Sequence, residues 1–236
     1  MKKVLIHIGY PKSASSSLQH YFSELKEKNI KYFDINKNII HKNHLKNILQ
    51  LNNKKYKSIE HSLLKYYKTK SSKYNIISSE HFTYPYGYLH FDNYQRISRV
   101  YYLFKKLKFD VYFLVVIRDP KKLLISFYTD MLHRIVQHTG KMVTFKEFLM
   151  LRNKNKVVKY IFKIFNFNKT IKYLNSNLKV NKKNINVLIC ENLSSKQLKA
   201  KLNKIDFKIN SKKNLKYLNK SKKTPKKTVV KSKYKK

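Results

Sequence analysis

The stretch that most constrains this chain lies near its start, where a short apolar run gives way to a loop rich in hydroxyl side chains. Val4 to Ile8 has the length and the β-branched content of a buried strand. Gly9 and Pro11 end that strand, and the next apolar residues recur at helical spacing: Leu18, Tyr21, Phe22 and Leu25. A strand, a tight loop and a helix start direct free backbone N–H groups and the positive end of a helix dipole at one point. The sequence therefore predicts a pocket for a phosphate-like anion, to which Lys12 adds a mobile charge.

The same loop has a purely structural interpretation, in which its serines cap a helix and Lys12 is a solvated lysine. Serine is a favoured N-cap residue, so the pattern of strand, loop and helix does not by itself choose between the two interpretations. The loop is not a Walker A motif, because the sequence G-x-x-x-x-G-K-[ST] does not occur in the chain.

A second apolar run later in the chain ends in a pattern of the same kind. Val111 to Ile117 is continuously apolar, as in a strand that is covered on both faces, and it stops at Arg118-Asp119-Pro120. Proline suits the first turn of a helix, and Ser126 lies eight residues after Arg118. Arg118 and Ser126 thus bring hydrogen-bond donors to the end of this strand. The structural alternative is an ordinary surface turn.

A third strand end carries an acid and an imidazole. Residues 74–79 form a predicted core strand, which Glu80 and His81 follow directly. Open α/β sheets bind their ligands just past the carboxyl ends of their strands. The loop at 82–91, rich in Tyr and Phe, could form a wall of an acceptor site. Glu80 could also be a structural acid that orders this loop.

Taken together, these patterns resemble the two cofactor motifs of the sulfotransferases that use 3′-phosphoadenosine 5′-phosphosulfate (PAPS). The family's 3′-phosphate site runs from an apolar strand through R-[DN]-P to a serine eight residues after the arginine, as Arg118 and Ser126 do here. The family's other motif, the 5′-phosphosulfate loop, reads roughly P-K-[ST]-G-[TS]-[TS]-x-L, and its counterpart here is Pro11, Lys12, Ser13, Ala14, Ser15, Ser16, Ser17 and Leu18. Ala14 replaces the usual glycine of this loop, a departure expected to be mild because the helix has already begun.

The resemblance covers about residues 1–195 and implies a three-layer, P-loop-like α/β fold with a central, mainly parallel sheet flanked by helices. It implies transfer of a sulfuryl group from PAPS to a hydroxyl or amine, with adenosine 3′,5′-bisphosphate released and no metal required. Lys12 would stabilise charge on the bridging oxygen. Ser15, Ser16 and the loop amides would hold the 5′-phosphate, and Arg118 with Ser126 the 3′-phosphate.

The acceptor's proton needs a base, which in this family is a Glu in some branches and a His in others. Glu80 is the preferred candidate and His81 is close behind it. The aromatic residue that commonly follows the hydroxyl pair is missing, since Ser17 stands there, so the group that stacks on the adenine stays open.

The composition is strongly basic, with 54 Lys and Arg against 12 Asp and Glu and a net charge of +42. Such a surface attracts polyanions and anionic small molecules. A carbohydrate is the preferred acceptor, because the tyrosine-rich loop could stack on sugar rings and the basic surface suits an acidic glycan. The alternative function is a basic nucleic-acid-binding protein without catalysis. Against it, the basic residues are spread along the whole chain and form no recognisable module.

Other features of the sequence exclude or disfavour several further classes of protein and of metal site. The single cysteine, Cys190, excludes a disulfide framework and a multi-cysteine metal site. A related kinase or NTPase is disfavoured because no clear Mg²⁺-binding acid follows a core strand. No apolar run approaches the roughly 18 residues that span a bilayer, and the N-terminus does not look like a signal peptide, so a cytoplasmic location is expected. We expect one domain over residues 1–219 and a basic, disordered tail over 220–236.

Overall fold

The computed structural model describes residues 1–83, 93–139, 142–154, 162, 166–205, 207, 209 and 214–215. Five strands form one sheet in the order β2-β3-β1-β4-β5, and each neighbouring pair is parallel. The strands are β1 (Lys3–Ile8), β2 (Ile30–Phe33), β3 (Tyr74–Ser79), β4 (Asp110–Ile117) and β5 (Ile185–Ile189).

Helices connect successive strands, as parallel pairing requires. In the described part of the chain they are α1 (Ser15–Ser23), α2 (Ile39–Gln50), α3 (Asn53–Lys70), α4 (Asn93–Lys106), α5 (Pro120–Thr139), α6 (Phe145–Lys154), α7 (Phe167–Lys172) and α8 (Ser195–Lys204). A π-helical turn, Tyr173–Asn177, continues α7, and 3-10 turns follow β3 and β5 at Glu80–Phe82 and Cys190–Asn192.

The helices cover both faces of the sheet. Val4, Ile6 and Ile8 of β1 are fully buried in one core together with side chains of α2, α3 and α4. Leu5 points to the opposite face, where α1 and α8 pack. Side chains alternate along a strand and both faces are covered, which explains why β1 is buried from Val4 to Ile8 and why β4 is apolar from Val111 to Ile117. This confirms the predicted α/β class with three layers and a parallel central sheet.

Side-chain caps set where several helices begin. The side-chain oxygens of Asn38, Asn52 and Ser194 accept hydrogen bonds from backbone N–H groups in the first turns of α2, α3 and α8. Such caps satisfy donors that the helix itself leaves free. The cap at Asn52 also separates α3 from α2, which ends at Gln50.

One predicted helix is wrong as a single element. The apolar spacing predicts a helix over residues 156–178, but in the described residues α7 starts at Phe167. The side chain of Asn166 caps it by accepting a hydrogen bond from the Lys169 N–H. An N-cap is a helix start, so a continuous helix cannot pass through residue 166. Residues 155–161 and 163–165 lie outside the described residues.

The predicted domain boundary at 219, the tail at 220–236 and most of the tyrosine-rich loop also lie outside the described residues. The described core extends at least to Leu215, which packs in the same cluster as α1 and α8. No helix in the described ranges is long and apolar enough to cross a membrane.

The strand order positions the functional edge of the sheet. The strands β2 and β3 lie on one side of the central β1, and β4 and β5 lie on the other. The segment after β3 crosses over β1 to reach β4. A reversal of this kind leaves a crevice at the carboxyl ends of the central strands.

Candidate anion-binding and catalytic site

Gly9, directly after β1, lets the loop approach β3 closely. A Cβ atom at this position would lie 2.9 Å from the Ser15 Oγ and 3.2 Å from the Glu80 Cα. The Gly9 N–H donates a hydrogen bond to the Ser79 carbonyl at 3.1 Å. A side chain at residue 9 would force these neighbours apart. Glycine therefore allows the loop to lie directly against Glu80.

The backbone of the loop has two left-handed residues. Lys12 and Ala14 both have a φ of 61°. Ala14 is the N-cap of α1, so the expectation that it is already helical is wrong. This conformation suits glycine, which is the residue that the resembled motif has at this point. A left-handed residue directly before a helix is the backbone arrangement from which anion-binding concavities are built, and the dipole of α1 adds positive charge at this end.

The serines of the loop differ in exposure. Ser13, Ser15 and Ser17 are buried, as is Pro11, whereas Ser16 is half-buried. The Ser15 hydroxyl donates to the Tyr10 carbonyl at 2.9 Å. The Ser13 hydroxyl has no hydrogen-bond partner among the described residues. Among the hydroxyls expected to bind the 5′-phosphate, Ser16 is therefore the more accessible and Ser15 holds the loop in shape.

Tyr10 anchors the loop to α7. Its hydroxyl donates to the Thr170 Oγ1 at 2.7 Å, and its ring meets that of Phe167 edge-on, with 4.6 Å between the ring centroids. Its carbonyl accepts from the Ser13 N–H and from the Ser15 hydroxyl. One buried tyrosine thus links a helix near residue 170 to the loop at residues 10–15, a relation that no sequence pattern indicates.

The two sequence motifs are in direct contact. The Arg118 Nη1 donates a hydrogen bond to the Lys12 carbonyl at 2.6 Å. The Arg118 Nε also lies 3.4 Å from an oxygen of Glu191, the acid that follows β5. Ser126 is half-buried in the second turn of α5, the helix that begins just after Arg118. The ends of β1, β4 and β5 are thereby joined through one guanidinium.

Asp130 is a site residue that sequence reasoning missed. Its carboxylate lies 2.6 Å from the Lys12 ammonium, and it sits one helical turn after Ser126 on α5. The spacing of four residues from a candidate ligand was the available signal, because residues i and i+4 share a helix face. What the sequence lacks is any indication that this face meets the Lys12 loop.

Glu80 lies at the inner side of this cluster. Burial raises the pKa of its carboxyl group above the ordinary value, and the charge of Asp130 raises it further. The Lys12 charge and the nearby Ser15 hydroxyl act in the opposite direction. A carboxyl group in these surroundings is more basic than an exposed one, which is the property that a proton acceptor needs near neutral pH.

His81 is placed beside Glu80 in the same 3-10 turn and is half-buried. Its backbone N–H donates to the Ser79 hydroxyl at 3.1 Å, and its carbonyl accepts from Arg96 at 3.1 Å. The Lys12 charge and the Ser15 hydroxyl both act on the Glu80 carboxyl group, which favours Glu80 of the two candidate bases.

In the described residues the cluster coincides neither with a group of metal-ligating side chains nor with the cleft beside β5. No group of three or more His, Cys, Asp or Glu that could hold a metal ion occurs in the described residues. A cleft of about 410 Å³ lies beside the first half of β5, between it and α7 with its π-helical turn. None of the predicted site residues lines that cleft, whereas the cluster around Lys12 lies past the strand ends.

Comparisons with known proteins give distant structural likenesses, of which two are described here. No protein-family model and no curated protein matches the chain. The chain is similar to the crystal structure of a sulfotransferase from Alicyclobacillus acidocaldarius, with a TM-score of 0.48, 16% identity and coverage of 81% of this chain and 74% of the other. It is also similar to a gluconokinase from Sinorhizobium meliloti 1021, with a TM-score of 0.36, 8% identity and coverage of 81% and 84%. At these levels of similarity neither comparison identifies a family.

Proposed function

We propose that this protein transfers a sulfuryl group from PAPS to a hydroxyl or amine acceptor, with a carbohydrate hydroxyl as the preferred acceptor. The observation that carries the proposal is the hydrogen bond of 2.6 Å from Arg118 to the Lys12 carbonyl. The two motifs expected to bind opposite ends of one nucleotide are far apart in sequence but adjacent at the sheet edge. A single doubly phosphorylated nucleoside could therefore contact both.

The residues present suit such a nucleotide. The amide groups at the start of α1, together with Ser16, would hold the 5′-phosphate, because a helix N-terminus with its free N–H groups binds anions well. Arg118 can offer a planar fork of donors to the 3′-phosphate, and Ser126, in the helix that follows Arg118, would add a hydroxyl.

The reaction forms one bond and breaks another at sulfur. The acceptor oxygen or nitrogen attacks the sulfur atom, and the bond between sulfur and the 5′-phosphate oxygen breaks, with its electron pair leaving on adenosine 3′,5′-bisphosphate. The acceptor's proton passes to the Glu80 carboxylate. The Lys12 ammonium stabilises the charge that develops on the departing oxygen, and alignment of donor and acceptor supplies much of the remaining acceleration.

A binding experiment tests the nucleotide site. We expect adenosine 3′,5′-bisphosphate to bind the wild-type protein with micromolar affinity in a calorimetric titration. Arg118→Met should weaken binding at least about tenfold, since hydrogen bonds to a charged group contribute roughly 1.5–3 kcal/mol. Lys121→Met is the matched control, because Lys121 is an exposed lysine in the first turn of α5 and its loss removes the same charge. Equal weakening in both variants would reject the site.

A transfer assay tests the chemistry. Labelled sulfate from PAPS would be followed onto a panel of glycans, phenols and amines. Lys12→Ala should abolish transfer while the circular dichroism spectrum stays that of the wild type. Normal transfer by this variant would contradict the proposal, and tight binding of generic duplex DNA without any effect of the bisphosphate would favour the nucleic-acid-binding alternative.

A further inference from the structure

Acidic residues are concentrated at the candidate site in a chain that has few of them. The whole chain has 12 Asp and Glu against 54 Lys and Arg. Four of the 12 follow a strand end or face the Lys12 loop at this one edge of the sheet: Glu80, Asp119, Asp130 and Glu191. A site for a polyanion therefore contains the counter-charges that would compete with its ligand.

The Lys12–Asp130 pair is the clearest of these contacts. The two charged atoms are 2.6 Å apart, and both side chains remain partly exposed, with relative accessibilities of 31% and 45%. An ion pair at this exposure adds only about 0.2–1 kcal/mol to stability, so it is a weak reason for the carboxylate to be there. Its effect on geometry is clearer, because it places the ammonium of a flexible lysine next to the Asp130 carboxylate.

The second cation of the site, Arg118, also lies close to oxygen atoms of the protein. Arg118 is held by the Lys12 carbonyl and lies 3.4 Å from Glu191. Both cations expected to bind the nucleotide's anionic groups are thus engaged with oxygen atoms of the protein.

We propose that Asp130 is a positioning residue, which acts as an internal counterion that holds the Lys12 ammonium until an anionic ligand displaces it. The identity of that ligand, adenosine 3′,5′-bisphosphate, rests on the proposed function. The exchange replaces one carboxylate with the more highly charged oxygens of a phosphate ester. Ligands with several negative charges compete for Lys12 better than monoanions do. Recapture of Lys12 by Asp130 also assists departure of the bisphosphate after transfer.

The test compares Asp130→Asn with a control that loses an equivalent ion pair elsewhere. Glu60 lies 2.6 Å from the Lys106 ammonium, between α3 and α4, so Glu60→Gln removes a pair of the same length and the same charge. The rate at which an acetylating reagent labels Lys12 would be measured by mass spectrometry without ligand. Affinities for adenosine 3′,5′-bisphosphate and for inorganic pyrophosphate would be measured by calorimetry.

We expect Asp130→Asn to label faster at Lys12 and to bind both anions about two- to fivefold more tightly, the range that corresponds to the energy of an exposed ion pair. Glu60→Gln should change neither quantity. A purely structural role for Asp130 gives the opposite result, because a damaged site binds anions less well. Unchanged labelling of Lys12, or weaker binding of both anions, overturns the inference.

The two proposals fail in different ways. If neither the wild type nor Asp130→Asn binds the bisphosphate, the proposed function is wrong. If in the same experiment Lys12 labels faster and pyrophosphate binds more tightly in Asp130→Asn, the counterion role of Asp130 is still supported.

Discussion

Ala14 combines an unfavourable backbone conformation with a key position in the loop. A left-handed φ of 61° costs a residue with a Cβ atom roughly 1–2 kcal/mol, which glycine does not pay. We therefore expect Ala14→Gly to raise the free energy of unfolding by about 1 kcal/mol, after allowing roughly 0.4–1 kcal/mol for the more flexible unfolded chain. Urea denaturation would measure the change.

The chain offers a matched control in Ala200, which is exposed in the interior of α8. Ala200→Gly should lower the free energy of unfolding by about 1 kcal/mol, because glycine is a poor helix former. The same loss in Ala14→Gly would contradict the assignment of strain to residue 14.

Glu80 gives a prediction about pH. If Glu80 accepts the acceptor's proton, it must be ionised, and burial raises the pKa of its carboxyl group. The transfer rate should then fall as the pH is lowered through that raised pKa. Glu80→Gln should reduce transfer by about 10²–10⁴-fold and remove this dependence on pH, with binding of the bisphosphate retained. Glu60→Gln serves as the control, and loss of transfer in a His81→Asn variant alone would assign the base to His81.

At the scale of single residues, the sequence predicts the site residues that directly follow a strand. It predicts few of those that reach the site from a distant helix. Lys12, Glu80 and Arg118 come together because the carboxyl ends of parallel strands meet at one edge. Asp130 reaches the site from the second half of a helix, through a packing angle that no local pattern encodes. The conformation of Ala14 was missed because alanine is a good helix former and its neighbours have helical spacing.

At the scale of elements, the link between the loop and α7 can be tested through Tyr10. Tyr10→Phe removes the hydrogen bond to Thr170, whose hydroxyl would stay buried without this partner, at a cost of about 1–3 kcal/mol in stability. We also expect severalfold weaker binding of the bisphosphate, because without the bond to Thr170 residue 10 is free to shift, and its carbonyl holds the loop through Ser13 and Ser15. Urea denaturation and calorimetry would measure the two effects.

Tyr128→Phe is the control for this change. The Tyr128 hydroxyl donates to the Val143 carbonyl at 2.5 Å, in a separate cluster between α5 and α6. This variant should lose stability but keep its affinity for the bisphosphate. Equal affinities for the bisphosphate in Tyr10→Phe and the wild type would show that the contact with α7 does not shape the loop.

The elements that the sequence predicts well are those with a strong period or a continuous apolar run. The strands β1, β3 and β4 are of this kind. Two helical features were missed: the start of α7 at Phe167, and the whole of α8. Single polar caps, Asn166 and Ser194, decide where these two helices begin, and a cap is a weak signal among the many Asn and Ser of this chain.

At the scale of the whole molecule, two buried histidines make stability depend on pH. His7 and His41 both have a pKa lowered from 6.5 to about 3, chiefly because burial disfavours the charged ring. Below pH 6.5 the unfolded chain binds protons at these residues and the folded protein does not. The free energy of unfolding should therefore decrease as the pH falls from 6.5 towards 3, by up to about 1.4 kcal/mol per pH unit for each histidine.

Urea denaturation at pH 7 and pH 5 measures this dependence. His41→Gln should reduce the loss of stability between the two pH values, whereas His61→Gln should not, since His61 is exposed on α3. An identical loss in the wild type and in His41→Gln would contradict the explanation.

The strand order also has a consequence for the time course of synthesis. β1 pairs with β3 and β4, and β2 pairs with β3, so the first two strands to leave the ribosome have no partner in each other. β1 therefore has no partner strand until residues 74–79 have been made. The edge that carries Arg118 and Glu191 is completed later. A nascent chain therefore exposes β1 without a partner strand until residue 79 has been made, and unpaired apolar strands are the segments through which incompletely folded chains associate.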